Sequence, residues 1–308
     1  MASHSLKKGW IWGILIAIGM VIAIVGSTLG SSVSAATTNT QPSYTVKDLG
    51  TLGGFYSSAH GINNAGQVIG AADLSNYDSH AVLWEKGKKI DLGTLGGENS
   101  FANAINDAGK VVGYSQTSSS PAHYHAFLWS KGNITDLGTL GGTESKAFDI
   151  NNAGKVVGYS TTSPFGSHAV IWDKGNKIKL GTLGGKYNVA NGINNAGKVV
   201  GYSQTSSGAY HAVLWDKGNI IDLGTLGGDS FAYAINNAGQ VVGNSYIGKS
   251  LKYPVLWDNN SIKDLNNLIP PKSGWVLMGV SDINDKGQIV GYGKINGRFH
   301  AFLLTPVK

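Results

Sequence analysis

The stretch LGTLGGENSFANAINDAGKVVGYSQTSSSPAHYHAFLWSKGNITDL, residues 92–137, reads as four short strands separated by turns. Ala102–Ile105 is the first strand, and the glycine closing Asn106-Asp107-Ala108-Gly109 supplies left-handed backbone for a tight turn. Lys110–Ser115 is the second, rich in β-branched and aromatic residues. A polar loop leads to His125–Trp129, the third strand, and Ser130-Lys131-Gly132-Asn133 turns the chain into Ile134–Leu137, the fourth. In the third strand His125, Phe127 and Trp129 share one face, and Ala126 and Leu128 the other. Such a sheet is apolar on both sides and needs covering on both.

The same unit recurs along the chain. LGTLGG occurs at Leu49–Gly54, Leu92–Gly97, Leu137–Gly142, Leu180–Gly185 and Leu223–Gly228, with a degraded copy at Asp264–Ile269. A second string ends its turn at Gly66, Gly109, Gly154, Gly197, Gly239 and Gly287, and these glycines lie between 42 (Gly197 to Gly239) and 48 residues apart (Gly239 to Gly287). That period suits a propeller blade, in which neighbouring units cover both faces of each sheet and leave only short edges. The last unit stops at His300-Ala301-Phe302-Leu303-Leu304, a third strand with no fourth, while Tyr44–Gly50 reads as a fourth strand with nothing before it. The expected fold is therefore all-β: a six-bladed β-propeller of four-stranded blades over residues 44–308, its ring closed by the N-terminal strand completing the last blade.

Ahead of it, residues 5–36 read as an export segment. Lys7 and Lys8 precede an apolar run from Trp10 to Val25, and Val33-Ser34-Ala35 offers a small-residue cleavage site. Residues 1–36 are read as a signal peptide, with an uncleaved signal anchor as the alternative, and 37–43 as a short leader. The apolar run falls short of the ~20 residues that span a bilayer comfortably, which favours cleavage. Both readings put the repeats outside the cytoplasm. The formal charge of +6 is carried by lysines spread through the repeats with a single arginine, Arg298, which argues against a nucleic-acid surface. With no cysteine, disulfides and thiolate chemistry are excluded.

Three motifs invite chemistry and fail its requirements. One histidine per unit (His80, His125, His168, His211) spreads potential ligands around a ring, whereas zinc needs three or four at one ion, so a structural hydrogen bond to a neighbouring loop is expected. The Gly-Gly turns precede no helix and carry no lysine-serine signature, so they are not phosphate loops. The Asn-Asn-Ala-Gly turns hold too few carboxylates for calcium. No cofactor and no metal are expected.

The third-strand motif resembles the HAF-repeat family of bacterial extracellular proteins. His125-Ala126-Phe127 and His300-Ala301-Phe302 match it outright, and His80, His168 and His211 open His-Ala-Val variants. Tyr253-Pro254 in the fifth unit and Leu304 in the sixth depart from it. The resemblance covers residues 44–304 and implies an extracellular repeat protein without implying an activity.

What differs between units points to function. The loops between second and third strands share one face with the Gly-Gly turns, and each carries an aromatic: Tyr77, Tyr124, Phe165, Tyr210, Tyr246 and Phe299. Rigid aromatics among serine, threonine and glycine make an adaptable binding surface, for which an extracellular glycan or cell-surface polymer is the expected partner. The competing reading is a secreted carbohydrate-active enzyme using Glu98, Glu144 and Asp229, since a carboxylate pair ~5–10 Å apart serves glycoside hydrolysis. A monomer is expected, touching a membrane only through an uncleaved N-terminal segment.

Overall fold

The computed structural model describes residues 47–118, 121–163, 166–248 and 250–307. The export segment, the leader, residues 44–46 and Phe165 lie outside the described residues. The chain divides into two units, Met1–Lys47 and Asp48–Lys308, and every strand among the described residues belongs to the second.

The first sheet is β1 (Gly53–Ile62), β2 (Val68–Leu74), β3 (Ser79–Glu85) and β4 (Lys88–Asp91), in sequence order and antiparallel. The second repeats it with β5 (Gly96–Ile105), β6 (Val111–Thr117), β7 (Tyr124–Ser130) and β8 (Asn133–Asp136). Next come β9 (Ser145–Ile150), β10 (Val156–Thr161), β11 (Ser167–Asp173) and β12 (Asn176–Lys179). A single parallel pair, Ser167 with Tyr187, joins these to β13 (Gly184–Ile193), β14 (Val199–Thr205), β15 (Tyr210–Asp216) and β16 (Asn219–Asp222). β17 (Ser230–Ile235), β18 (Val241–Ile247), β19 (Leu251–Asp258) and β20 (Ser261–Asp264) form another sheet, and β21 (Trp275–Ile283), β22 (Ile289–Ile295) and β23 (Arg298–Leu304) the last. The fold is an all-β propeller. A 3₁₀ turn at Leu265–Leu268 replaces the Gly-Gly turn where that motif is degraded.

Each first strand carries an irregularity near its inner end, between Ala102 and Ala104 in β5. There the next strand comes so close that a Cβ on Gly113 would stand 1.9 Å from the Phe101 carbonyl oxygen. This close approach explains the invariant glycine of the Val-Val-Gly strings.

Apolar clusters fill the spaces between successive sheets. Ile69, Ala81 and Leu83 of the first sheet meet Val111, Phe127 and Trp129 of the second. Equivalent clusters lie between each later pair of repeats. A further cluster, on the outer face of the first sheet, packs Leu49 and Leu52 against Val82 and Trp84. Leu49 thus stands to Trp84 as Leu92 stands to Trp129. Beside it the face is bare: Ile62 is 68% exposed, although its counterparts Ile150, Ile193, Ile235 and Ile283 are buried. The last sheet is bare in turn, with Val290 40% and Leu303 60% exposed where Val112 and Leu83 are buried. Residues 47–50 have no strand assignment, and β23 pairs only with β22 among the described residues.

Side-chain amides link one turn to the next. Asn63 Nδ2 donates to the Asn106 carbonyl at 3.0 Å, Asn106 to Asn151 at 3.0 Å, Asn151 to Asn194 at 3.1 Å, Asn194 to Asn236 at 3.2 Å and Asn236 to Asn284 at 3.0 Å. Each Oδ1 meanwhile accepts from a backbone N–H of its own turn, as Asn151 does from Lys155. Replacing Asn151 with alanine is expected to cost about 1–3 kcal/mol in a denaturant melt, because buried partners are left unpaired. Asn284→Ala, at an exposed position, is expected to cost clearly less.

Candidate functional site

The Gly-Gly turns and the connections between second and third strands do emerge together: Gly96 pairs with Thr117, and Leu95 N donates to Ser115 Oγ at 2.9 Å. The connections are shorter than the sequence suggests. Tyr124 and Tyr210 open β7 and β15, while Tyr246 and Phe299 lie within β18 and β23. The strands run on because Gln116 pairs with Tyr124 and Gln204 with Tyr210, polar residues continuing a backbone ladder. Among the described candidates, Tyr77 alone sits on a turn.

These aromatics fall into two groups. Tyr124 meets Tyr114 edge-on at 5.4 Å, Tyr114 lies 5.1 Å from Phe101, and the Lys146 ammonium sits 4.5 Å from the Tyr114 ring centre. Tyr210 contacts Tyr202 at 5.8 Å and Phe231 at 5.9 Å, and Tyr246 closes on Phe231 at 6.2 Å. All three are half-buried. Burial raises the phenol pKa of Tyr114, Tyr124 and Tyr202, and takes Tyr159 up to about 12 with Glu144 adding to it. The second group faces water. Tyr77 is 76% exposed and stacks on Phe55, itself 87% exposed, at 6.1 Å and 28°. Phe299 is exposed under the Lys294 ammonium, 4.8 Å from its ring centre. Sequence reasoning passed over Phe55; its signal was an aromatic two residues past the turn glycine, where other repeats carry Glu98, Thr143 and Lys186.

The candidate carboxylates stand on three repeats. Glu98 lies in β5, Glu144 precedes β9 and Asp229 precedes β17, so each belongs to a different repeat. Asp229 Oδ1 accepts from Tyr210 N at 2.9 Å, and its carbonyl from Tyr246 N at 2.7 Å, which ties it to the backbone. The described residues do not include three metal-ligating side chains in one group.

At the opposite end, the linked turns of all six repeats, Asn63 through Asn284, line one polar cavity of about 280 Å³. Asp149 precedes the lining residue Ile150 on β9, its Oδ1 accepting from Ile150 N at 2.8 Å and its Oδ2 from Ile193 N at 2.9 Å. Burial outweighs those two bonds and pushes its carboxyl up to about 6, with the charge of Asp282 contributing.

Three of the repeat histidines are tied to aspartates. His80 Nδ1 bonds Asp91 at 2.9 Å, His125 bonds Asp136 at 2.8 Å and His211 bonds Asp222 at 2.7 Å. The partner is an aspartate ending the fourth strand of the same sheet and not, as the sequence suggested, a neighbouring loop. Each aspartate also accepts from the glycine N–H two residues on, which holds Gly93, Gly138 and Gly224 at φ between 68° and 80°. In the third repeat Lys179 takes the aspartate's place. His168 Nδ1 is then buried without a hydrogen-bond partner, and burial, followed by the Lys179 charge, holds its pKa below the ordinary range. Gly181 leaves the left-handed region, and its carbonyl accepts from Trp215 Nε1 at 2.9 Å.

No protein-family model and no curated protein matches the chain. Among solved structures it is similar to the β-propeller domain of the Trilobed protease from Pyrococcus furiosus, which has an open velcro topology, at 8% identity and TM-score 0.53 over 81% of this chain and 83% of that one. A puromycin-hydrolysing peptidase of Mycobacterium tuberculosis aligns at 12% identity and TM-score 0.55 over 82% of this chain and 43% of its own. TolB from Acinetobacter baumannii aligns at 14% identity and TM-score 0.45; the chain spans about half of it, 52%. At these identities the likeness establishes the propeller fold alone.

Lys179→Asp is expected to recreate the His–Asp pair and stabilise the protein by about 1 kcal/mol, partly offset by loss of the Trp215 bond. In the wild type, protonating His168 is penalised in the folded state, so stability falls as pH drops below ~6.5. In the variant His168 gains a carboxylate, so the gain is full below that pH and shrinks as His168 deprotonates. Melts at pH 5.5 and 8 should show the larger difference at pH 5.5.

Proposed function

We propose that this chain is an exported, non-catalytic binding module: a six-bladed propeller that takes a glycan or cell-surface polymer on its loop face. One observation carries the reading. The loop face presents aromatic rings held in place by packing, while the carboxylates that hydrolysis would need stand on separate repeats. Export rests on the segment from Lys7 to Ala35, and the extracellular setting also on the resemblance to HAF repeats. A glycan array combined with a polysaccharide-degradation screen tests it. Binding without release of reducing ends is expected; release abolished by Glu98→Gln or Glu144→Gln would replace this reading with the enzymatic one.

Six blades and a closed ring belong to the same proposal. In every complete sheet the fourth strand pairs with the third in one register, Val82 with Asp91 and Phe127 with Asp136. Carried to the last sheet, that register sets Asp48 opposite Phe302 and within reach of His300, the one His-Ala-Phe histidine whose own repeat supplies no aspartate. Three observations support it: Asp48 Oδ1 already accepts from Gly50 N at 2.8 Å, as Asp91 does from Gly93; Leu49 already covers Trp84; and the bare faces at Ile62 and at Val290 and Leu303 are those that pack between repeats elsewhere. Tyr44–Gly50 then pairs with His300–Leu304 and completes the ring. Deleting residues 37–50 should lower the melting temperature strongly and deleting 37–42 hardly at all. Asp48→Ala and His300→Ala should be non-additive in a double-mutant cycle. Equal melting temperatures for both truncations and the mature chain would remove the closed ring.

A further inference from the structure

The stacked pair Phe55 and Tyr77 is held in the open at a conformational cost. Tyr77 has φ 72°, the left-handed region in which a bulky aromatic is an outlier. Its turn is built as in the fourth repeat: Leu74 N donates to Asp78 O and Tyr77 N to Leu74 O, matching Thr205 N to Ala209 O and Gly208 N to Thr205 O. At the matching position the fourth repeat has Gly208, φ 95°, a residue that adopts this backbone without strain. The first repeat thus places a bulky aromatic where the turn favours no side chain, and then leaves the ring 76% exposed. Such strain needs a reason that burial of the ring does not supply, and function is one.

The Phe55 position stays exposed in repeats that have neighbours on both sides. Phe55 aligns there with Glu98, Thr143 and Lys186. Its neighbour Tyr56 aligns instead with Asn99 and Asp229, which bond the preceding repeat at Ser79 N and Tyr210 N, so Tyr56 is left out of the site.

The chemistry around the rings selects the ligand. Asn76 and Asp78 flank Tyr77, joined to each other by Asn76 Nδ2 donating to Asp78 Oδ2 at 2.6 Å. Two tilted aromatic faces bordered by an amide and a carboxylate offer an apolar surface with hydrogen-bonding groups at its edge. That suits a pyranose ring, whose C–H face stacks on aromatics while its hydroxyls meet planar polar side chains. An aliphatic segment would leave the carboxylate and amide unmatched. We infer that Phe55 and Tyr77 form a stacking site for one pyranose of a glycan chain, flanked by Asn76 and Asp78. The inference rests on the binding reading above and narrows it to the first repeat.

Titration calorimetry of the full mature chain with cellohexaose, chitohexaose and laminarihexaose tests it. At least one should bind, and Phe55→Ala and Tyr77→Gly should each weaken it tenfold or more. Asn151→Ala, in the linked turns at the opposite end, should lower the melting temperature while changing affinity by less than twofold. Tyr77→Gly should melt no lower than wild type, since the ring contributes strain and not packing. Binding that survives both first-repeat substitutions would overturn the site while leaving a binding function elsewhere on the face. Binding to none of the three probes, or a lower melting temperature for Tyr77→Gly, would also overturn it.

Discussion

The fold depends on one amide per repeat, at the head of the turn between first and second strands. Asn151 shows the arrangement: Oδ1 closes its own turn by accepting from Lys155 N, and Nδ2 reaches the carbonyl of Asn194 in the next repeat. An aspartate has no donor for the second bond, and a glutamine is one methylene too long to keep both. Because both ends of the amide are used, each turn fixes the angle of the next. The facing sheets then meet with the same residues in contact each time, Val112 and Ala126 on one side and Val156 and Trp172 on the other. Hydrophobic burial supplies most of the stabilisation, but it is non-directional. The amides give the stack its geometry.

A second set of links lies nearer the loop face and shows how a repeat can change one residue and keep its fold. Ser100 Oγ accepts from Ala81 N of the preceding repeat and donates to Gly93 O; Ser145 and Ser230 do likewise. In the fourth repeat Asn188 takes this role, accepting from Ala169 N and donating to Gly181 O at 2.9 Å. This is the place where Lys179 has displaced the usual aspartate and Gly181 has left its left-handed conformation. A carbonyl turned to a new direction needs a longer donor, which asparagine provides and serine does not. Trp215 uses the same carbonyl, whereas Trp84, Trp172 and Trp257 leave their indole nitrogens buried and unpartnered.

Much of this was legible in the sequence, and the gaps have physical causes. Strand positions followed from alternation and from turn glycines, both local properties. The extent of the strands did not, because Gln116 and Thr117 run straight into a polar serine stretch and are held in the strand through partners in β7 and β5. For that reason Tyr124 and Tyr210 read as loop residues and proved to be packed. The Asn-Asn turns read as hairpin turns, which they are, but their bonds to the next repeat join residues 42 to 48 positions apart and leave no local mark. The His–Asp pairs could have been found: an aspartate stands eleven residues after His80, His125 and His211 and is missing after His168.

Tolerance to change is distributed unevenly over such a molecule. Positions that link repeats are held on both sides, and a substitution there must keep both bonds, as Asn188 does in place of the usual serine. The position shared by Phe55, Glu98, Thr143 and Lys186 makes no link, and neither does the side chain at the position shared by Tyr77 and Gly208. These sites can diverge repeat by repeat without disturbing the sheets beneath them. One scaffold repeated around an axis can therefore carry a different surface on each unit. The aromatic pair of the first repeat is a specialisation the links neither require nor oppose, and its cost is confined to the single backbone angle at Tyr77.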